Sequence, residues 1–229
     1  MASAKKNDFV ALRYTGYSNN EMFDSNIAEN LKKLHPEAKA EELIVVVGQR
    51  MVVPGLDKAI EGKEVGQEYE VKLTPKEGFG ERKRELVRII PLKMFHEKQV
   101  DPKPGMVFTF DNMLARIVAV SGARVTTDFN NPLAGKNIRY VFKIEKIVED
   151  EHEKVHVVFE KLLGMMPEHE IKPENVIVKG PKQFEYFVNA FNDKFKELVG
   201  KPLKFELKEE KKPEEKKEEN LKEELAKAE

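Results

Sequence analysis

The chain has 229 residues, of which 40% are hydrophobic and 35% are charged, and it contains no cysteine. Its 40 Lys and Arg residues face 41 Asp and Glu residues, so the formal net charge is −1 and no bulk positive field favours nucleic acid or acidic membranes. The lack of cysteine excludes disulfides and thiolate chemistry, and no apolar run reaches the roughly 18 residues of a membrane span. Because no signal peptide is evident either, we expect a cytoplasmic protein with no membrane partner.

The N-terminal part of the chain predicts short strands around one short helix. Residues 7–18, "NDFVALRYTGYS", alternate apolar and polar side chains as a half-buried strand does, and the β-branched run "ELIVVVG" predicts a buried strand. Pro54 stands where a helix begins, since the N–H that it lacks is not needed there, and Leu56, Ala59 and Ile60 then share one face. The alternating segment "VGQEYEVKLTP" predicts the next strand.

Residues 83–128 predict a small β-rich unit. The segments "ELVRIIPLKMF", "GMVFTF", "MLARIVAVSG" and "ARVTTDF" are typical of short strands. Pro104–Gly105, Asp111–Asn112 and Ser121–Gly122 are typical of the turns between them. A unit of this size and pattern would have to form its own small core.

The C-terminal part, 151–208, has an α+β pattern with one long helix in "PKQFEYFVNAFNDKFKELVG". Apolar residues recur along this helix at spacings of three and four, which predicts one broad stripe: Phe184, Phe187, Val188, Phe191, Phe195 and Leu198. The first interpretation of this stripe is that it packs into the core of its own domain. The alternative is that it forms a self-association surface, which would make a homodimer through 151–208. Residues 209–229 have almost no apolar side chains and predict a disordered tail or an exposed helix.

Several separated motifs resemble the FKBP-type peptidyl-prolyl isomerases in order and spacing. These are "RYTG" (13–16), "MFDSN" (22–26), "VVVGQRMVVPGLDKAIEGKEVGQEYEVKLTPKEGFGER" (45–82) and "VTTDFNNPLAGKNIRYVFKIEKI" (125–147). The segment "DFNNPLAGK" resembles the SlyD-like and archaeal long-type branch, in which a second domain is inserted into the flap of the isomerase domain.

This resemblance implies an α+β fold in which an antiparallel sheet wraps round a short helix. It implies an isomerase domain at 1–82 plus 129–150, an inserted flap (chaperone) domain at 83–128 and a separate C-terminal domain at 151–208, followed by the charged tail 209–229. Leu56 would form the floor under a substrate proline, Val52 and Val53 a wall, and the backbone N–H of Val53 would meet a substrate carbonyl.

By the same resemblance, the residues that carry catalysis are Tyr14, Phe23, Asp24, Val52, Val53, Leu56, Phe79 and Tyr140. Leu43 is added as a substrate-binding residue. Leu56 stands where small members of the family have tryptophan and Phe79 where many have tyrosine, which weakens the expectation of tight macrolide binding.

The implied reaction needs neither a nucleophile nor a cofactor. An X–Pro bond rotates slowly because rotation interrupts amide resonance, with a barrier on the order of 20 kcal/mol. An apolar pocket with a placed hydrogen-bond donor favours the twisted amide, and lowering the barrier by about 4 kcal/mol accelerates rotation about a thousandfold. The alternative is a non-catalytic holdase or scaffold on the same fold, but retention of Tyr14, Asp24 and Val53 favours catalysis.

In SlyD-like proteins the inserted domain binds unfolded polypeptide, so proline-containing unfolded or partly folded chains are the expected partners. The apolar strip expected to bind them consists of Val87, Ile89, Ile90, Leu92, Met94 and Phe95. Its alternative role is the core of a very small domain. We expect no nucleic-acid site, because the basic cluster "ERKRELVR" is short and balanced by acids.

A metal site is not predicted. The five histidines are scattered along the sequence, and the tail contains none. His152 and His156 would share a face if their segment is a helix, but a strand is equally compatible there and no third ligand is evident.

Overall fold

The computed structural model describes residues 2–110 and 113–208, so the predicted turn at Asp111–Asn112 and the predicted tail 209–229 lie outside the described residues. The strands are β1 (Phe9–Ser18), β2 (Glu21–Ser25), β3 (Leu43–Val46), β4 (Glu68–Leu73), β5 (Val87–Pro91), β6 (Val107–Phe110), β7 (Met113–Ser121), β8 (Arg124–Asp128), β9 (Ile138–Ile147), β10 (Glu168–Ile171), β11 (Val176–Gly180) and β12 (Leu203–Leu207). The α-helices are α1 (Ala28–Leu34), α2 (Pro54–Ile60), α3 (Leu92–Glu97), α4 (Glu151–Val157) and α5 (Gln183–Val199). One 3-10 turn covers Arg84–Leu86, and a π-helical turn, Val158–Leu162, follows α4.

The largest sheet has the strand order β2-β1-β9-β4, with β3 beside β1. Strands β4 and β9 pair antiparallel, and Val71 lies opposite Tyr140. The predicted α+β class of antiparallel sheet and few helices is confirmed.

Helix α2 begins at Pro54, as the sequence predicts, and it buries Leu56 and Ile60. Its second residue must be small, because a Cβ at Gly55 would lie 2.5 Å from Leu73 Cδ2. The backbone N–H of Gly55 also donates to the carbonyl of Glu77 over 2.8 Å. These two close approaches set α2 against β4 and the loop that follows it.

Residues 87–128 form a second antiparallel sheet with the order β5-β8-β7-β6. One face of this sheet carries a small core of Ile90, Phe95, Ile117 and Val125, all buried. The end of the expected strand "ELVRIIPLKMF" is instead helix α3, which starts directly after Pro91. The helix turns Phe95 back into the core, where its ring contacts the ring of Phe108 edge-on, with centroids 5.2 Å apart.

The chain divides into two compact units: residues 1–4, 11–43 and 52–146 form the first, and residues 5–10, 44–51 and 147 onward form the second. The second unit therefore includes two N-terminal segments that the expected C-terminal domain 151–208 does not contain. The physical reason is that Phe9 and Val46 are buried in one cluster with Val155 and Phe195.

The second unit contains the sheet β10-β11-β12 and the long helix α5. The predicted stripe of α5 places Val188, Phe195 and Leu198 in the core. Phe195 stacks on Phe159 with ring centroids 5.5 Å apart. The helix stops at Gly200, whose φ of 89° is accessible to glycine without steric cost.

In the part of the chain that the structure describes, no helix combines the length and the apolar character needed to cross a membrane.

Candidate active site

Four aromatic side chains, from three strands of the main sheet and one loop, pack against one another. Phe23 of β2 contacts both Phe79, in the loop after β4, and Tyr140 of β9, with ring centroids 5.8 and 5.9 Å apart. Tyr14 of β1 contacts Tyr140 at 5.9 Å. All three contacts are edge-to-face, the arrangement that aromatic quadrupoles favour. The four aromatic residues predicted for the site therefore form one cluster.

A hydrogen bond ties this cluster to Asp24: the Tyr14 hydroxyl donates to Oδ2 of Asp24 over 2.8 Å. Burial, and then the hydrogen bond and charge of Asp24, raise the pKa of Tyr14 well above the ordinary value for a phenol. Burial and the Asp24 charge raise the pKa of Tyr140 to about 12. Both phenols therefore stay protonated at neutral pH, which keeps Tyr14 a donor and the rings uncharged.

Two residues that the sequence did not single out hold Tyr14 in position. The side-chain oxygen of Asn26 accepts the backbone N–H of Tyr14 over 2.8 Å, and its amide donates to the carbonyl of Leu12 over 2.7 Å. The hydroxyl of Ser25 donates to the carbonyl of Tyr14 over 2.8 Å. Both residues belong to the motif "MFDSN", so the signal was present, but their role depends on pairing between β1 and β2.

Gly16 is a further position that the cluster requires. A Cβ at this glycine would lie 2.6 Å from Cζ of Phe23 and 2.9 Å from Cε1 of Tyr140. Real Cβ contacts are almost never this short, so a side chain here would push the rings apart. Gly16 ends the motif "RYTG", and only the three-dimensional contact explains why the motif needs it.

The predicted apolar wall and floor lie on the segment that enters α2. Val52 and Val53 are half-buried and Leu56 is buried. The carbonyl of Val53 accepts the N–H groups of Leu56 and Asp57, each over 3.0 Å, so it opens the helix. The backbone N–H of Val53 has no acceptor among the described residues, which leaves it available to a ligand. Leu43 is half-buried at the first residue of β3.

The apolar strip expected in the insert does not form one surface. Ile90 and Phe95 are buried in the small core and Leu92 packs against it, whereas Ile89 is 62% exposed and Met94 is 40% exposed. A narrow cleft of about 100 Å³ opens beside this core. The side chains that line it are predominantly apolar: Met94, Phe95, Lys98, Val100, Phe108, Thr109 and Phe110.

The histidines do not gather into a metal-binding group. Within residues 2–110 and 113–208 no set of three or more His, Asp or Glu side chains is placed to hold a metal ion. His152 and His156 lie on α4, and Nδ1 of His156 is 3.3 Å from a carboxylate oxygen of Glu160.

Two family models match parts of this chain. The family model for FKBP-type peptidyl-prolyl cis-trans isomerases matches residues 1–100, and the model for the FKBP26 IF domain matches residues 88–133. A short-type peptidyl-prolyl cis-trans isomerase of Methanocaldococcus jannaschii is 32% identical over 152 residues, which is 65% of this chain and 97% of that protein.

Two SlyD proteins are also similar to this chain. SlyD of Haemophilus influenzae is 34% identical over 102 residues, covering 42% of this chain and 53% of SlyD, so the match spans about half of that protein. SlyD of Helicobacter pylori is 27% identical over 149 residues, covering 63% of this chain and 74% of SlyD. The chain therefore belongs to the FKBP-type peptidyl-prolyl cis-trans isomerases, and the predicted family and enzyme class are confirmed.

Proposed function

We propose that this chain accelerates proline-limited protein folding and also binds unfolded or partly folded polypeptides, so that it is both an isomerase and a chaperone. One observation carries the first part: an aromatic cluster with the Tyr14–Asp24 hydrogen bond at its edge, on the same sheet that α2 packs against. The residues assigned to catalysis are those of the sequence prediction.

Catalysis requires only that the site binds the twisted X–Pro amide better than the planar one. A twisted amide has lost resonance and charge separation, so apolar surroundings favour it over the planar ground state. Leu56, Val52 and Val53, together with the rings of Tyr14, Phe23 and Tyr140, are the residues that supply those surroundings in this proposal. The free N–H of Val53 holds a substrate carbonyl next to the rotating bond.

Asp24 and Phe79 have different parts in this mechanism. The Asp24 carboxylate fixes the Tyr14 hydroxyl, so the rings around the proline are ordered before the substrate arrives. Phe79 has no hydroxyl to donate, so it shapes the pocket against Phe23 and leaves hydrogen bonding to the backbone.

The chaperone part rests on the insert. Its cleft is small and apolar, with a flexible Met94 at the rim, and it suits single aromatic or aliphatic side chains of many different sequences. Lys98 lies over the ring of Phe110 at 5.2 Å, so its charge stays at the edge of the cleft. Clients would be held there while their X–Pro bonds isomerise in the isomerase site. A cytoplasmic location, which the lack of cysteine supports, belongs to the same proposal.

A homodimer through the C-terminal part is also proposed. The observation that favours it is Tyr186 on α5, which is 83% exposed although the other aromatic residues of that helix pack inward. Sedimentation of the full chain over a range of concentrations tests it, with Tyr186→Glu compared with the neighbouring Glu185→Lys. A monomer at every concentration contradicts the dimer.

The isomerase proposal is tested by a protease-free assay of cis-to-trans relaxation in an X–Pro peptide. We expect acceleration by the wild type, a loss of about tenfold in Asp24→Ala, and no change in Glu21→Ala, an exposed acid on the same strand. If a well-folded wild type gives no acceleration, the chain is the non-catalytic holdase instead.

A further inference from the structure

A mixed polar and apolar groove of about 570 Å³ lies at the base of the insert, where the insert joins the isomerase body. Its walls come from four stretches of chain: Arg82, the turn at Pro104–Gly105, residues 116–118 in the middle of β7, and residues 128–136. Two segments connect the insert to the isomerase body, one at Lys83 and one at Asn130, and hydrogen bonds join them. The backbone N–H of Lys83 donates to the side-chain oxygen of Asn130 over 2.8 Å, and the side-chain amide of Asn130 donates to the carbonyl of Lys83 over 2.9 Å. Gly135 also donates to the carbonyl of Gly80 over 2.8 Å. The two connections of the insert are therefore held together before any ligand enters.

The charges in this groove are unbalanced. Three cations line it, Arg82, Arg116 and Lys136, against one carboxylate, Asp128. Arg82 is paired with Asp128 over 2.6 Å, whereas the side chains of Arg116 and Lys136 have no hydrogen bond or ion pair with any described residue. Burial alone would raise the pKa of Asp128, but hydrogen bonds from Asn130 and the neighbouring Arg82 lower it on balance. Asp128 is thus already occupied, and two cations remain for a ligand.

The groove is close to the isomerase site along the chain. Phe79 packs on Phe23 in the aromatic cluster, and Arg82 of the groove is three residues further on. Successive Cα atoms are about 3.8 Å apart, so the Cα atoms of these two residues are separated by at most about 11 Å. An extended client advances about 3.3 Å per residue, so a residue about three to five positions from the proline reaches the groove.

We propose that this groove binds an acidic side chain of the client, so that the enzyme favours prolines flanked by Asp or Glu a few residues away. This inference rests on the proposed isomerase function and names the substrate class of that site. Arg116 and Lys136 receive the carboxylate, and Val118 with Pro104 and Pro132 contacts the client chain beside it.

The lining favours a peptide over nucleic acid as the occupant. Only two cations are without a counter-charge, and a nucleic-acid site of useful affinity neutralises several phosphates at once. The apolar wall of Val118, Pro104 and Pro132 instead matches the mixed surface of an unfolded polypeptide.

The test uses the full-length chain and pairs of fluorescent X–Pro peptides that differ only in Glu or Gln at positions four and five residues from the proline. One pair carries them before the proline and another after it. Binding is measured by anisotropy at low salt, and isomerisation by NMR exchange. The variants are Arg116→Gln, Lys136→Gln and the double variant, with Arg124→Gln as control, an exposed arginine at the opposite end of β8 from Asp128.

In at least one pair, we expect the wild type to bind the Glu peptide about fivefold more tightly than the Gln peptide, a size typical of partly exposed charge pairs. The double variant should lose this preference and keep its affinity for the Gln peptide, each single variant should lose part of it, and Arg124→Gln should keep it. Equal affinities in the wild type, or a preference that survives in the double variant, overturn the proposal.

Two further outcomes distinguish the groove proposal from the isomerase proposal and from nucleic-acid binding. A preference for Glu without acceleration of any peptide supports the groove and contradicts the isomerase function. Displacement of the Glu peptide by a short single-stranded oligonucleotide at lower concentration than by unlabelled peptide, lost in the double variant, assigns the groove to nucleic acid and overturns the peptide proposal.

Discussion

The isomerase site and the insert use apolar side chains in opposite ways. In the site, the buried ring of Tyr140 and three half-buried rings are held edge-on by one another. Tyr14 is fixed at its hydroxyl by Asp24 and at its backbone by Ser25 and Asn26. In the insert, one sheet face is a closed core, while Ile89, Val107 and Leu114 are more than half exposed. A single rotating bond needs fixed geometry, whereas clients of varied sequence need an adaptable surface.

The strongest test of this contrast makes the same substitution, valine to glutamate, once in the isomerase site and once in the insert. Val53→Glu places a charge in the apolar wall of the site, and we expect it to slow isomerisation of a short X–Pro peptide by about 100-fold, because a carboxylate there must be desolvated when the proline binds. Val107→Glu changes an exposed residue of β6 and should leave that rate unchanged.

Both variants should accelerate the refolding of a protein client less than the wild type does, when that refolding is limited by proline isomerisation, since such a client needs both regions. Val107→Glu is expected to lose acceleration of refolding only. If both variants behave alike on the short peptide at matched folded fraction, the contrast between the regions fails.

The rigidity of the site is tested by Gly16→Ala. The new methyl group would meet the rings of Phe23 and Tyr140, so we expect the free energy of unfolding to fall by about 2 kcal/mol, as overpacking typically costs. Gly78→Ala is the matched control, because a Cβ there would have ordinary contacts of 3.5 Å with Ile138 and with the carbonyl of Thr74. Urea unfolding of both variants gives the comparison. Equal losses of the free energy of unfolding would show that the rings of Phe23 and Tyr140 move apart at little cost.

The adaptability of the insert is tested by Met94→Glu. This residue lines the cleft and is partly exposed, so we expect about tenfold weaker binding of a permanently unfolded polypeptide with little change in stability. Lys93→Glu is the control, since Lys93 is the neighbouring exposed residue of α3 and does not line the cleft. Unchanged binding by Met94→Glu would move client binding away from the cleft.

Local patterns predict most of the architecture around the site. Pro54 and the spacing of Leu56 and Ile60 predict α2, and alternation predicts β4, because these signals depend only on neighbouring residues. The first four residues of β1 are all buried, so the half-buried alternation predicted there is wrong. Helix α3 was missed because a short apolar run has no period that separates helix from strand. For the same reason the sequence left open whether Ile90 and Phe95 bind clients or form a core.

Contacts between distant parts of the chain were beyond the sequence. Phe9 and Val46 lie in one cluster with Phe195, a pairing that no local pattern indicates. The same holds for the groove, because Arg82, Arg116 and Lys136 are far apart in sequence and meet only through the connections of the insert. The motifs named Tyr14 and Asp24, but only β1–β2 pairing shows why Asn26 accompanies them.

The alkaline response of the buried Tyr140 phenol is a further test of the isomerase site. Tyr140 has a pKa of about 12 in the folded chain against about 10 in an unfolded one, because burial and the Asp24 charge oppose its ionisation. Its contribution to stability is therefore complete below about pH 10 and is lost as the pH rises through about 12. In Tyr140→Phe, the free energy of unfolding should fall less steeply between pH 10 and 12 than in the wild type. Parallel curves for Tyr140→Phe and wild type would show that this ring is not held in the low-dielectric cluster described for the site.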